Sequence, residues 1–334
     1  FILSGKRGYM EVLSNAVQGV LSIIFMIGIG YILSHKGWFD KKSAKLLSKL
    51  VVSLALPCYM IYNLVSNYDR QKLSELKNGL PVPFITMIFC YLIAMATAKI
   101  IKVPKNRNGT FCSMMSLSNT IFIGLPVNRA LFGEDSVQYV LVYYIANTTL
   151  FWTLGVYGIS SDGDAADSNL FSAKNIRRIF SPPLIAFIIG IFLILLKIPV
   201  PKVILSTCGY MGNLTTPLSM LFIGTVMYSV DLRKIKFDKD MALLLAGRFI
   251  IAPAVVTGIV HLALPISVVN FTALPKLMKQ VFIIQSAMPA MTQTPIIAET
   301  YNADYKYAAI MTTITTIASL ISIPFYMLML EFII

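Results

Sequence analysis

Apolar residues run along this chain in stretches of about twenty, the length a helix needs to cross a bilayer. They fall at 16–34, 44–66, 81–101, 109–131, 136–159, 180–197, 203–229, 241–264, 277–300 and 305–332, and short polar joints separate them. The pattern predicts an all-α polytopic membrane protein with ten transmembrane helices. Two stretches are interrupted. The fourth contains Ser118-Asn119-Thr120-Ile121-Phe122-Ile123-Gly124-Leu125-Pro126, and the ninth contains Ser286-Ala287-Met288-Pro289-Ala290-Met291-Thr292-Gln293-Thr294-Pro295. Proline removes a backbone donor and breaks the helical ladder. In hydrocarbon a broken ladder survives only where protein or a water-filled cavity satisfies the freed groups. Paired broken helices in corresponding positions of two halves point to a substrate site at the midplane.

The halves are marked internally. Leu54-Ala55-Leu56-Pro57 in the second stretch matches Leu214-Thr215-Thr216-Pro217 in the seventh. Pro57 precedes Pro126 by 69 residues, and Pro217 precedes Pro289 and Pro295 by 72 and 78. Between the halves lies a polar, Gly- and Asp-rich segment, 160–178, that reads as a flexible linker. Five spans on either side force the halves into opposite orientations. The expected organisation is a first repeat at 10–159, a linker at 160–178 and a second, inverted repeat at 179–334. Residues 1–9 precede Met10 and read as an extension or as appended residues.

Composition agrees with a membrane protein. The chain of 334 residues is 57% hydrophobic and only 13% charged, against about one quarter charged in soluble domains. Its mean hydropathy is +0.74. The net charge of +13 does not mark a nucleic-acid binder, because the basic residues fall in loops and form no contiguous stripe. They do set an orientation. The odd-numbered loops carry 17 Lys and Arg and the even-numbered loops 8, which places the odd loops in the cytoplasm and both termini outside a plasma membrane. Trp38 and Tyr68 stand where interfacial anchors are expected.

Candidate chemistry gathers at the breaks. A proline break frees backbone amides at the start of the helix that follows, and those amides with the helix dipole favour an anion. Asn119, Thr120, Pro126, Pro289, Thr292, Gln293, Thr294 and Pro295 form the predicted binding set, with neutral donors and acceptors beside each break. Arg248 is the one charge deep inside a predicted span; it either pairs in the interior or snorkels to the cytoplasmic face about seven residues away. Asn147, with Thr148 and Thr149, makes a polar patch on the fifth stretch. Thr312 and Thr316 share a face of the tenth, where such residues either join helices or line a path. Glu299 follows the second break and is a candidate to titrate or to bind a cation.

Other chemistries leave no trace in the sequence. There is no GxSxG elbow, HExxH or Walker A loop, so the chain reads as a non-enzyme that hydrolyses no nucleotide. His35 and His261 are far apart and lack companions at ligand spacing. Cys58, Cys90, Cys112 and Cys208 form no CxxC pair, so neither a metal site nor a cofactor is expected.

At Asn119–Pro126 with Ala130-Leu131-Phe132-Gly133, at Arg248-Phe249-Ile250-Ile251-Ala252-Pro253-Ala254, and at Gln285–Pro289 with Ala298-Glu299-Thr300-Tyr301, the sequence resembles the auxin efflux carrier family. That family includes plant PIN-type transporters and bacterial malate or malonate carriers, and the short central linker resembles the bacterial type. The resemblance spans nearly the whole chain from Met10. It implies a bile-acid-symporter-like inverted repeat with two crossover helices, a scaffold of helices 1, 2, 6 and 7, and a transport domain of helices 3–5 and 8–10. It also implies elevator-type motion, a homodimer, and contact between Asn119 and a substrate carboxylate. The second crossover, Met291-Thr292-Gln293-Thr294, departs from the plant pattern. The expected function is secondary transport of a small organic anion, a mono- or dicarboxylate such as malate or malonate or an auxin-like weak acid, with a coupling proton or sodium ion. The alternatives are a sodium-coupled symporter of bile-acid type and a membrane sensor that keeps a transporter fold without translocating.

Overall fold

The computed structural model describes residues 18, 21–70, 73, 79–163, 182–229, 237–261 and 274–333. Residues 1–9 and the linker from 164 onward lie outside them. The described residues are helical throughout, joined by turns, with a single isolated β-bridge between Ser118 and Ala290. Five helices are long and apolar enough to cross a membrane: α2 (Lys42–Asn67), α3 (Pro81–Ile101), α6 (Glu134–Ser161), α10 (Lys239–His261) and α13, which begins at Tyr305. Three apolar helices are shorter: α1 (Leu21–His35), α5 (Thr120–Phe132) and α7 (Pro182–Leu196). The stretches at 109–131 and 277–300 divide in two, as their breaks predict, and the stretch at 203–229, expected as one span, divides as well. They give α4 (Asn108–Ser116) and α5, α8 (Lys202–Asn213) and α9 (Thr215–Tyr228), and α11 (Lys276–Ser286) and α12 (Thr294–Thr300).

The prolines shape these helices in a specific way. A proline clashes with the carbonyl four residues back and donates no hydrogen bond. Pro57, Pro126 and Pro253 each sit two residues after a π-turn, at Val51–Ala55, Thr120–Gly124 and Gly247–Ile251. The wider turn absorbs the clash without ending the helix. A further π-turn, Phe151–Gly155 in α6, has no proline after it.

The densest packing runs within two sets of helices. In one, α2 packs against α7 and α8, and α9 packs on the start of α2. Gly30 of α1 and Gly224 of α9 allow a close approach there, since a Cβ on Gly224 would overlap the Ile27 carbonyl. In the other set, α4 packs on α3 and α6, α10 on α3 and α11, α11 on α6, and α12 on α13. The sets meet where α9 crosses the Thr120–Gly124 turn, with Phe222 against Phe122 at 5.0 Å between ring centroids. They also meet where the Tyr59 hydroxyl donates to Glu134 Oε2 at 2.6 Å and Asn63 Nδ2 donates to the same oxygen at 3.3 Å. Arg129 pairs with the other oxygen of that carboxylate.

α6 is the central helix. Its apolar window is 72% buried, whereas those of the other four long helices are 28–39% buried and turn most of their surface outward. That outward surface is apolar, with Phe25, Phe89, Leu92, Phe192, Ile250 and Ile321 exposed, as a lipid-facing wall requires. Trp38 is exposed as an anchor would be, but Tyr68 is buried against the protein. The linker is not free at its start. Asp162 accepts hydrogen bonds from the Gly109 and Thr110 amides, each at 2.7 Å, and from the Thr110 hydroxyl at 2.8 Å, and so caps α4. Burial nevertheless outweighs those bonds and pushes its carboxyl up to about 6.

Candidate functional site

The two interrupted stretches meet inside the protein. α4 ends at Ser116, and residues 117–119 carry the chain to α5 without helix. There the Asn119 amide donates to the Pro289 carbonyl at 2.8 Å, and Ser118 bridges Ala290 in antiparallel fashion. Each break thus satisfies part of the other's freed backbone, which is what irregular chain buried in an apolar setting demands.

Neighbouring helices complete the satisfaction. Asn147 on α6 accepts from the Ser118 amide at 3.0 Å and donates to the Ser118 carbonyl at 2.9 Å, so one side chain behaves as a paired strand. On the other side Thr315 of α13 accepts from the Ala290 amide at 3.2 Å. The polar patch at Asn147 is therefore a clamp on the first break. Thr312 and Thr316 are buried but bond back to carbonyls of their own helix, Ala308 at 2.8 Å and Thr312 at 2.7 Å. Thr315, which lies between them and which the sequence did not single out, is the residue that reaches the second break.

Asn119 has two tasks. Its Oδ1 caps α5 by accepting from the Phe122 amide at 3.1 Å. That assignment leaves Nδ2 buried and without a partner among the described residues. Thr292 Oγ1 and Gln293 Oε1 are also buried and unpartnered among the described residues. A buried polar atom without a partner is costly, so three around one space mark a place prepared for a ligand or water.

That space is a cavity of about 260 Å³. Asn119, Thr120, Thr292 and Gln293 line it, so four predicted residues come together. Val52 and Leu56 of α2, Phe122 of α5, Tyr144, Thr148 and Trp152 of α6, Met291, and Pro182 and Pro183 of α7 make up the rest. None of these lining residues carries a charge. Tyr144, Thr148 and Trp152 follow at i, i+4 and i+8, one face of the helix that also presents Asn147. Thr148 belongs to the polar patch read from the sequence, and that spacing was the available signal for Tyr144 and Trp152, which were not singled out.

The remaining predicted residues stand behind the cavity. Pro126 follows the π-turn that opens α5, Pro295 lies in the first turn of α12, and Pro289 supplies the carbonyl that receives Asn119. Thr294 is buried at the start of α12 with its amide bonded to the Met291 carbonyl at 3.1 Å. Glu299 is exposed in the last turn of α12, away from the lining.

Arg248 does not snorkel. It is fully buried, and the π-turn at Gly247–Ile251 carries it inward. Gly247 makes this approach feasible, because a Cβ there would overlap the Met115 side chain. The Arg248 guanidinium donates to the Met115 carbonyl at 3.2 Å and to the Ser286 carbonyl. Depth counted along a sequence says nothing of the helices packed around a residue, which is why both fates were expected. Here α4 and α11 close over it.

The family described as membrane transport protein matches residues 15–327 of the chain. An uncharacterized transporter of Methanocaldococcus jannaschii is 26% identical over 312 residues, covering 92% of this chain and 96% of its own length. An uncharacterized transporter of Methanothermobacter thermautotrophicus is 25% identical over 320 residues, covering 95% and 99%.

Proposed function

Because the chain belongs to the membrane transport protein family, the auxin efflux carrier family that its motifs resemble, we propose that it is a secondary transporter of a small organic anion bound where the two breaks meet. The observation that carries this reading is Asn119. Its oxygen is committed to the cap of α5, and its amide nitrogen is buried without a partner among the described residues, on a side chain that lines the cavity. A helix N-terminus and a free amide donor suit a carboxylate, and no Lys or Arg is required.

The walls narrow the substrate. Val52, Leu56, Phe122 and Met291 make much of the lining apolar, and its polar groups lie at the breaks and on α6, where Tyr144, Thr148 and Trp152 face in. A second carboxylate would find no Lys, Arg or His among the lining residues to pair it, at a cost of several kcal/mol or more. The reading is therefore a monocarboxylate with a compact apolar body, in preference to malate or malonate. In this reading the chain forms a ten-helix inverted repeat with the breaks as crossovers and both termini outside. The set of α1, α2, α7, α8 and α9 is the scaffold, and the rest moves as an elevator. The two packing sets and their narrow zone of contact support that division.

The test is counterflow in proteoliposomes with a panel of labelled mono- and dicarboxylates. Exchange of an apolar monocarboxylate, competed weakly by dicarboxylates of similar size, is the expected result. Binding without any exchange would make the protein a sensor on a transporter fold.

A further inference from the structure

Arg248 is a buried charge with no carboxylate partner among the described residues: the ion pairs there join Arg107 to Asp238 and Asp240, and Arg129 to Glu134. An uncompensated guanidinium in this position would be severely unfavourable. Its compensation comes from two helix ends. Met115 lies in the last turn of α4, and Ser286 is the last residue of α11. The final carbonyls of a helix lack partners within it and carry the negative end of its dipole, about half an elementary charge. α4 and α11 lead into the two breaks, and their negative ends converge on one guanidinium. Two such ends amount to about one negative charge, and Arg248 supplies one positive charge.

Convergent helix C-termini with free carbonyls are also the geometry in which membrane transporters hold a coupling cation. We propose that Arg248 is a tethered cation filling that position, so that the junction is neutralised by the protein itself and needs no sodium ion. It is a positioning residue: it fixes the ends of α4 and α11, and through them the breaks that line the cavity. The inference rests on the transport reading only for its consequence, which is that anion movement proceeds without sodium at this junction.

The test uses purified parent protein and the variants Arg248→Lys, Arg248→Met and Arg248→Ala, with thermal unfolding followed in sodium chloride, choline chloride and choline chloride with added methylguanidinium. No substrate is present, so the outcome is independent of whether the cavity binds an anion; counterflow tests that separately. The parent should unfold at the same temperature in sodium and in choline. Arg248→Lys, which keeps the charge but loses the fork, should retain more stability than Arg248→Met, which keeps bulk alone. Arg248→Ala should be raised selectively by methylguanidinium, and Arg248→Met, whose side chain fills the space, should not. A parent stabilised by sodium over choline, or Arg248→Met as stable as Arg248→Lys, would overturn the proposal. So would an Arg248→Ala protein indifferent to methylguanidinium. If Arg248→Ala yields no folded protein, the Lys and Met pair decides alone.

Discussion

The two breaks look alike in sequence and differ in what they offer a ligand. The first is short. Asn119 caps a π-turn that continues into α5, and Asn147 holds Ser118 by both its backbone groups. The second runs from Ala287 to Gln293 and ends in a helix of only seven residues. Its first amides are already taken, Thr294 by the Met291 carbonyl and Ile296 by the Gln293 carbonyl, and Pro295 has none to give. The first break therefore offers a capped helix start and a side-chain donor. The second contributes side chains, Thr292 and Gln293, to a space the first defines.

The largest effect should follow loss of the clamp on the first break. Asn147→Leu keeps the bulk but leaves the Ser118 amide buried and unpaired, roughly 1–3 kcal/mol, and leaves the Ser118 carbonyl with the Thr120 amide as its remaining donor. Thermal unfolding in detergent should show a marked loss of stability, and a loss below about 1 kcal/mol would mean that the clamp is not what holds the break. On the second break, Thr292→Val and Gln293→Ala should weaken binding of an exchanged carboxylate by up to about tenfold, a neutral hydrogen bond being worth roughly 0.5–1.5 kcal/mol. Calorimetric titration would read this, and a loss beyond about a hundredfold would make the second break the primary anchor. Thr315→Val removes one longer bond to Ala290 and should cost roughly 1 kcal/mol, less than Asn147→Leu.

The smallest effect concerns the cap of α4. Burial raises the folded Asp162 carboxyl to about 6, above its ordinary 3.8. The native state thus holds a proton that the unfolded chain has released. This contribution to stability is complete below the ordinary value and declines as pH rises through the folded one. Asp162→Asn should flatten that part of the stability profile between about pH 4 and 6. An unaltered profile would show that another group titrates there.

Much of this could be read from the chain. α3 was expected at 81–101 and occupies Pro81–Ile101, because prolines open it and Lys102, in the left-handed region with φ of 56°, closes it. The existence of both breaks was legible because proline among polar residues, inside a long apolar run, is too costly for an unbroken helix facing lipid. The second lies within the expected Ser286–Pro295, but the exact place of the first was not legible. Pro126 marks the first break in sequence, yet the chain leaves the helix at 117–119, and Pro126 instead produces the π-turn that precedes it. The cavity wall was hidden by its ordinary composition. Val52, Leu56, Phe122 and Trp152 read as common apolar positions until α2, α5 and α6 are brought together, and apolar periodicity alone does not say which buried face meets a cavity. Arg248 was visible as a costly charge. Its partners were not, because backbone carbonyls at helix ends leave no mark on a sequence.

The central claim is that the first break carries the anion through Asn119, and Asn119→Asp tests it most directly. Aspartate keeps the oxygen that caps α5 but replaces the free donor with negative charge, so the fold is retained while the ligand is repelled. For a carboxylate that the parent exchanges, calorimetric affinity should fall at least ~10- to 150-fold, the loss of a hydrogen bond to a charged group worth roughly 1.5–3 kcal/mol. A cooperative unfolding transition in the absence of ligand, at a temperature lowered by the cost of the buried charge, should show that the variant is folded. A folded Asn119→Asp protein that binds the same carboxylate with parental affinity would contradict the account and place the anion elsewhere.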